Sequence, residues 1–253
     1  MIRDTFDPAS APLITPQLFF GAREKQGDVC LASFSCHVRD RVLETFRPEV
    51  VAQSGTANGK IDVLRFTVRG KPILFYLSPI GSAVAGTVMQ EVQWLTKAAD
   101  FVFFGSCGVL RPDLCRGKII VPTEAYRDEG MSYHYAEKSD WISLSHAGKV
   151  ETFLRGRALP YITGRVWTTD AIYRETADKA AARRADGCLC VEMEAAGLEA
   201  VARYLGVRYH AFLFGGDVMA ENSDWERGDL GGDAEKERQC SLLDVALEYA
   251  LSL

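Results

Sequence analysis

The chain has 253 residues, 47% of them hydrophobic and 25% charged, with a formal net charge of −5; these are ordinary globular proportions, with chain enough to bury a sizeable core. No basic block stands out to neutralise phosphates, which argues against a nucleic-acid partner, and no apolar run approaches the roughly 18 residues of a membrane helix. The first eight residues lack the apolar segment of a secretory signal, so a cytoplasmic protein without a membrane partner is expected.

In chain order, a strand is expected over residues 29–33, a helix over 38–46, and a hairpin-like pair over 61–68 and 71–78, with apolar cores at 63–68 and 73–78 and Arg69-Gly70 at the turn. Residues 83–97 place Val84, Val88, Val92 and Leu95 on one helical stripe. Strands follow at 101–105 and 118–122, then helix 146–154, strand 164–168, helix 177–185, strand 189–191, helix 195–205, strand 209–214 and helix 234–251. Helices alternating with short apolar strands predict a three-layer α/β/α sandwich around a mixed sheet. No linker, repeat or low-complexity tract divides the chain, so a single domain over 1–253 is expected. The least structured stretch, 220–232, reads equally as a flap over a site or as a solvated loop.

The seven cysteines are Cys30, Cys36, Cys107, Cys115, Cys188, Cys190 and Cys240. Their number is odd and most sit in apolar strand-like segments. No second pair completes the Cys188-x-Cys190 spacing into a zinc pattern, so buried reduced thiols and no metal are expected.

Three segments could carry chemistry. Cys188-Leu189-Cys190-Val191 runs into Glu192-Met193-Glu194 and then a small-residue helix. Ligands bind at the carboxyl ends of strands in α/β proteins. Carboxylates accept from sugar hydroxyls, and a methionine can lie against an apolar sugar face; the same glutamates could instead serve the helix dipole, and the methionine the core. Phe103-Phe104-Gly105-Ser106-Cys107-Gly108 is a strand entering a glycine turn, either a tight connection or a place where backbone approaches a ligand. Phe212-Leu213-Phe214-Gly215-Gly216-Asp217 ends another strand in a carboxylate, placed for proton donation or for capping a turn.

These segments, with Ile80-Gly81-Ser82 and Thr168-Thr169-Asp170-Ala171-Ile172-Tyr173, occur in an order that resembles the nucleoside phosphorylase superfamily: purine nucleoside phosphorylases, uridine phosphorylases and methylthioadenosine nucleosidases. The resemblance covers residues 29–251. It implies a partly barrel-like central sheet and a pentosyltransferase of purine salvage that cleaves the N-glycosidic bond of a small nucleoside, a purine by the aspartate at 217. Phosphate would be the co-substrate, ribose 1-phosphate a product, and no cofactor would be needed. It implies that Met193 lies beneath the ribose, that Glu194 accepts from its 2′- and 3′-hydroxyls, and that Asp217 protonates or hydrogen-bonds purine N7. Ser106, Cys107, Gly108, Ile172, Tyr173 and Glu192 would line the base pocket. It further implies a homo-oligomer, dimer or hexamer.

The chain departs from that pattern at two places. The phosphate loop of the family, a glycine-aspartate-proline turn followed by an arginine, aligns with Ser33-Phe34-Ser35-Cys36-His37, and a second phosphate arginine aligns with Phe103. A replacement anion site would use Ser33, His37 and Ser106, with Arg39, Arg41 or a cation from another subunit. Without it, the alternatives are a hydrolytic nucleosidase, with Glu24 as candidate base for water, or a nucleoside-binding protein without catalysis. The second departure is Arg174-Glu175-Thr176, where uridine phosphorylases carry a uracil-reading glutamine and arginine. Of the other histidines, His134 lies where relatives contact ligand or a neighbouring subunit, while His146 and His210 read as structural.

Overall fold

The computed structural model describes residues 2–56, 59–219, 225–228 and 230–253. Its elements are α1 (Pro16–Phe20), β1 (Val29–Ser33), α2 (Cys36–Phe46), β2 (Glu49–Thr56), β3 (Gly59–Val68), β4 (Lys71–Leu77), α3 (Ser82–Thr96), β5 (Asp100–Val109), α4 (Pro112–Cys115), β6 (Ile119–Asp128), β7 (Trp141–Ser143), α5 (Ala147–Gly156), β8 (Tyr161–Thr169), α6 (Ala177–Ala185), β9 (Cys188–Glu192), α7 (Ala195–Leu205), β10 (Arg208–Met219), β11 (Trp225–Glu226) and α8 (Asp233–Ser252).

Strands β1, β5 and β9 are apolar along nearly their whole length, as strands covered on both faces must be. β1 lies parallel between β4 and β5. β5 continues parallel to β10 and antiparallel to β9; β9 pairs with β8, β8 with β6, and β6 returns to β10. Five strands therefore close into a ring, and β4, β3 and β2 extend the sheet from β1 as an open wing. Helices α3 and α7 cover one face over a core that includes Tyr76, Met89, Phe101 and Leu198. Helices α2, α5 and α8 cover the other, over Leu31, Phe104, Phe212 and Tyr249. The expected α/β/α layering around a mixed, partly barrel-like sheet is what the chain adopts.

Several strands outrun their expected ends. β6 passes through Pro122 by a register shift between Pro122 and Glu124 and continues to Asp128. β10 passes through a bulge between Gly215 and Asp217. β2, unforeseen, is an edge strand paired with β3 alone, and its Glu, Gln, Ser and Gly content hides it. In the stretch 220–232, residues 220–224 and 229 lie outside the described residues, while Trp225 and Glu226 fold back antiparallel on Met219 and Val218. All seven cysteines carry free thiols; five are buried, Cys240 is half-buried and Cys36 is exposed at the start of α2.

The start of β10 is clamped electrostatically. Buried Asp100 accepts from Arg208 Nε at 2.6 Å and from Arg208 Nη2, lies 3.0 Å from His210 Nε2, and the other His210 nitrogen is 2.8 Å from the Tyr249 hydroxyl of α8. Burial alone would raise the Asp100 pKa, but the hydrogen bonds from His210 and Arg208 outweigh it and hold the carboxyl well below its usual range. A depressed acid contributes stability above its unfolded value near about 4 and loses it as the pH falls below that. Arg208 is half exposed, so solvent screening weakens its share. Asp100→Asn is expected to cost about 2–3 kcal/mol in urea unfolding at neutral pH, with the gap from wild type narrowing in acid.

Candidate active site

The turn from β9 into α7 is organised by one buried carboxylate. Glu192 Oε2 accepts from the backbone N–H of Glu194 at 2.8 Å and of Ala195 at 2.7 Å, and Oε1 accepts from the Thr168 hydroxyl at the end of β8. Thr168 Oγ1 in turn accepts from Ala196 N–H at 3.1 Å. The first amides of α7, which have no partner within the helix, are thereby satisfied by side chains from two strands. Glu192 borders the cavity described below, yet both its oxygens are bonded to protein.

The same turn aims the next two residues. Glu194 Oε1 accepts from Gly81 N–H at 2.6 Å, and the Met193 carbonyl accepts from the Ser82 hydroxyl at 2.9 Å, so β9–α7 is tied to the N-terminus of α3. Gly81 has φ of 101° and ψ of 134°, a conformation that L side chains resist. Gly197 is required for a different reason: a Cβ there would lie 2.7 Å from Ser82 Cβ. Burial pushes the Glu194 carboxyl up, and the neighbouring charge of Glu192 pushes it further. Glu192 is also raised by burial, but its three hydrogen bonds favour the ionised form and oppose that rise.

Asp217 arrives from the other side. The bulge at Gly216 shifts β10 by one residue against β5, so that Asp217 rather than Gly216 faces Gly108; bulges re-aim side chains in this way. The carboxylate packs over Gly108, 3.5 Å from where a Cβ would stand, and Oδ2 accepts from the Trp225 indole N–H at 2.6 Å.

These groups share one cavity of about 630 Å³, the size of a small-molecule site. Its walls include Ser106, Cys107 and Gly108 of β5, Ile172 and Tyr173, Glu192, Met193, Glu194 and Asp217. The expected sugar, base and acid residues are thus brought together. Ile172 and Tyr173 are largely exposed and form the mouth. Cys107 is buried, its thiol donating to Phe214 O at 3.4 Å.

The expected anion site is not assembled. Of its three residues Ser106 alone borders the cavity. Ser33 is buried in β1 and accepts from Ser35 N–H at 3.3 Å, and His37 is exposed on the first turn of α2. Arg39 pairs with Asp40. The loop between β1 and α2 contributes Phe34 to the wall instead, its ring 6.0 Å from that of Phe103. Glu24 is exposed beside β2, away from the cavity, and His134 is exposed outside it. His146 occupies the position before the first turn of α5 without a side-chain capping bond, and His210 belongs to the Asp100 clamp. Residues that sequence reasoning left without a role also border the cavity: Glu175, Arg184, Trp225 and Leu230. Arg184 donates from Nε to Leu110 O at 3.1 Å and from Nη2 to Met219 O at 2.5 Å.

Comparison with known proteins gives a concordant picture. The family model described as the phosphorylase superfamily matches residues 31–246. Similar curated proteins include the purine nucleoside phosphorylase DeoD-type 2 of Aliivibrio fischeri, 27% identical over 74% of this chain and 78% of its own length. That of Vibrio vulnificus is 25% identical over the same shares. The purine nucleoside phosphorylase DeoD-type of Aliivibrio fischeri is 23% identical over 84% of this chain and 87% of its own.

Gly197→Ala is expected to force Ser82 away and lower stability by about 1–3 kcal/mol, read as a shift of the urea midpoint at unchanged slope.

Proposed function

The chain belongs to the phosphorylase superfamily, and from that premise we propose that it cleaves the N-glycosidic bond of a purine nucleoside. The observation that carries this reading is the pairing of two carboxyls of unlike surroundings in one cavity, buried Glu194 beside Met193 and bulge-presented Asp217 across from them. Met193 supports the ribose face and Glu194 accepts from the 2′- and 3′-hydroxyls with the oxygen that Gly81 does not use. Asp217 hydrogen-bonds N7 and delivers its proton there as the C1′–N9 bond breaks and electrons move into the base. Ile172 and Tyr173 cover the base. The purine assignment is supported by Asp217 and by the names of the relatives.

Two acceptors for the ribosyl group stand apart on one observation. Phosphorolysis is what the names of the relatives carry. Against it, Arg184 is the single cation among the described lining residues, and it is bonded to backbone carbonyls, while Phe34 and Phe103 fill the corner where the family holds phosphate. Water as acceptor fits that apolar corner better than an anion does. Base release followed by chromatography with and without phosphate decides between them: phosphate-dependent ribose 1-phosphate supports a phosphorylase, phosphate-independent free ribose a nucleosidase, and no release from any purine nucleoside overturns the proposal.

Asp217→Asn is expected to lower kcat about 10²–10⁴-fold while KM changes little. Full activity in that variant would remove the acid role. Burial and the charge of Glu192 push the Glu194 carboxyl up to about 8, and it must ionise to accept two hydroxyls, so ribonucleoside KM is expected to fall as the medium goes from mildly acidic to mildly alkaline, by at most about tenfold per pH unit. Glu194→Gln should abolish that slope.

A further inference from the structure

A second cavity, of about 440 Å³, opens behind the bulge that presents Asp217. Among the described residues Asp217 alone borders both cavities. The origin of the second one lies in the ladder between β6 and β10. These antiparallel strands meet at Ile120 and Leu213, and continuing that register would set Lys118 opposite Gly215 and Arg116 opposite Asp217. The chain instead turns there: Gly117 has φ of 70°, and Lys118 N–H donates to Cys115 O at 3.1 Å. Among the described residues, that edge of β10 therefore has no strand partner until Val218 meets Glu226 of β11. Helix α8 roofs the gap with one stripe, Arg238, Ser241, Leu242 and Val245, spaced three and four apart.

The walls divide by chemistry. Buried Val109, Phe214 and Leu242, with half-buried Ile119 and Val245, make an apolar floor. Arg116, Lys118 and Arg238 stand exposed around it, the Arg238 guanidinium 5.9 Å from the Phe214 ring. Among the described residues neither Arg116 nor Lys118 makes a side-chain hydrogen bond or ion pair, whereas nearby Asp113 is already paired with Arg111. Asp217 is the one carboxylate among the described lining residues, and its Oδ2 accepts from Trp225. Three cations around an apolar hollow, on a chain of net charge −5, set the local field against the sign of the whole molecule.

We propose that this cavity is a second small-molecule site, which takes an apolar body carrying one carboxylate, of the medium-chain fatty acid class. The chain lies against Phe214, Leu242 and Val245, where removal of apolar surface from water drives binding. The carboxylate meets Arg116 and Lys118 at the rim in charge-assisted hydrogen bonds. A bare anion finds only exposed cations, whose hold is weakened by water and salt, so neither half of the ligand suffices alone. Gly215–Val218 form one wall, which places the occupant directly behind the strand that carries Asp217. This assignment goes beyond nucleoside cleavage and does not rest on it.

The test is calorimetric titration of the full chain with octanoate, with octanol and inorganic phosphate as the separate halves of the ligand. Octanoate is expected to bind one site per chain, about tenfold or more tighter than octanol, and phosphate to bind far more weakly than octanoate. Arg116→Gln combined with Lys118→Gln should weaken octanoate about tenfold while leaving octanol binding and the unfolding midpoint unchanged. Val245→Trp, which fills the hollow, should abolish binding of both. Octanol that binds as tightly as octanoate, a glutamine pair that binds like wild type, or a folded Val245→Trp protein that still takes octanoate overturns the assignment. So does sedimentation showing that octanoate dissociates an oligomer, since the face would then be an interface between copies of this chain. Octanoate binding as expected in a protein that releases no base from any nucleoside leaves this site standing while the reaction proposed above falls.

Discussion

The carboxylate of Glu192 is the constraint on which the site depends. Three donors from two different elements converge on it: the amides of Glu194 and Ala195 and the hydroxyl of Thr168. A buried charge with fewer partners would be costly, so β8, β9 and the first turn of α7 are held to one arrangement. Met193 and Glu194 have little freedom once that arrangement is set, since the chain between Glu192 and Ala195 is pinned at both ends. Gly81 and Ser82 then complete the join to α3, and close packing at Gly197 leaves no slack between the two helices. What the Met-Glu-Ala-Ala-Gly run encodes is a corner first and a ligand contact second.

The electrostatic character of the cavity follows from the same economy of partners. Glu175, Glu192, Glu194 and Asp217 all border it, against Arg184 as the described cation, whose guanidinium is occupied by carbonyls of Leu110 and Met219. Crowded carboxyls in partly apolar surroundings hold protons that isolated ones would lose, which is why Glu175 and Glu194 are both raised. Such a cavity suits a neutral ligand rich in hydroxyl and N–H groups. It offers little to an anion, and the Phe34–Phe103 pair makes the corner beside β1 less hospitable still.

Much of this could be read in advance. β1, α6 and α7 begin and end where the residue pattern puts them, because each is bounded by an abrupt change from apolar periodicity to small or polar residues. The hairpin of β3 and β4 turns at Arg69-Gly70, both with positive φ. The convergence of Ser106, Cys107, Gly108, Met193, Glu194 and Asp217 was legible through the family resemblance, and it agrees with the rule that ligands bind at strand ends in this architecture. Less was legible where local signals mislead. Pro122 and Gly215-Gly216 look like strand ends, yet bulges carry β6 and β10 onward. Ser33 and His37 looked like anion ligands by position, but Ser35 caps α2 at once and leaves Ser33 inside and His37 on the surface. Glu175 stood in the sequence only as part of a departure from the uracil-reading segment of uridine phosphorylases, and no local spacing ties it to Asp217, which lies in a distant part of the chain.

The clamp at the start of β10 has a mechanical meaning. Arg208 and His210 fasten the strand to β5 and α8 through Asp100 and Tyr249, whereas its far end is half-buried over Asp217–Met219 and past the bulge pairs with β5 at Asp217 and Val218 and with the two-residue β11. A beam fixed at one end deflects most at its tip. Asp217 rides toward that tip, yet there it is still laddered to Gly108 of β5, so the acid is carried on the closed ring of strands rather than on a free end.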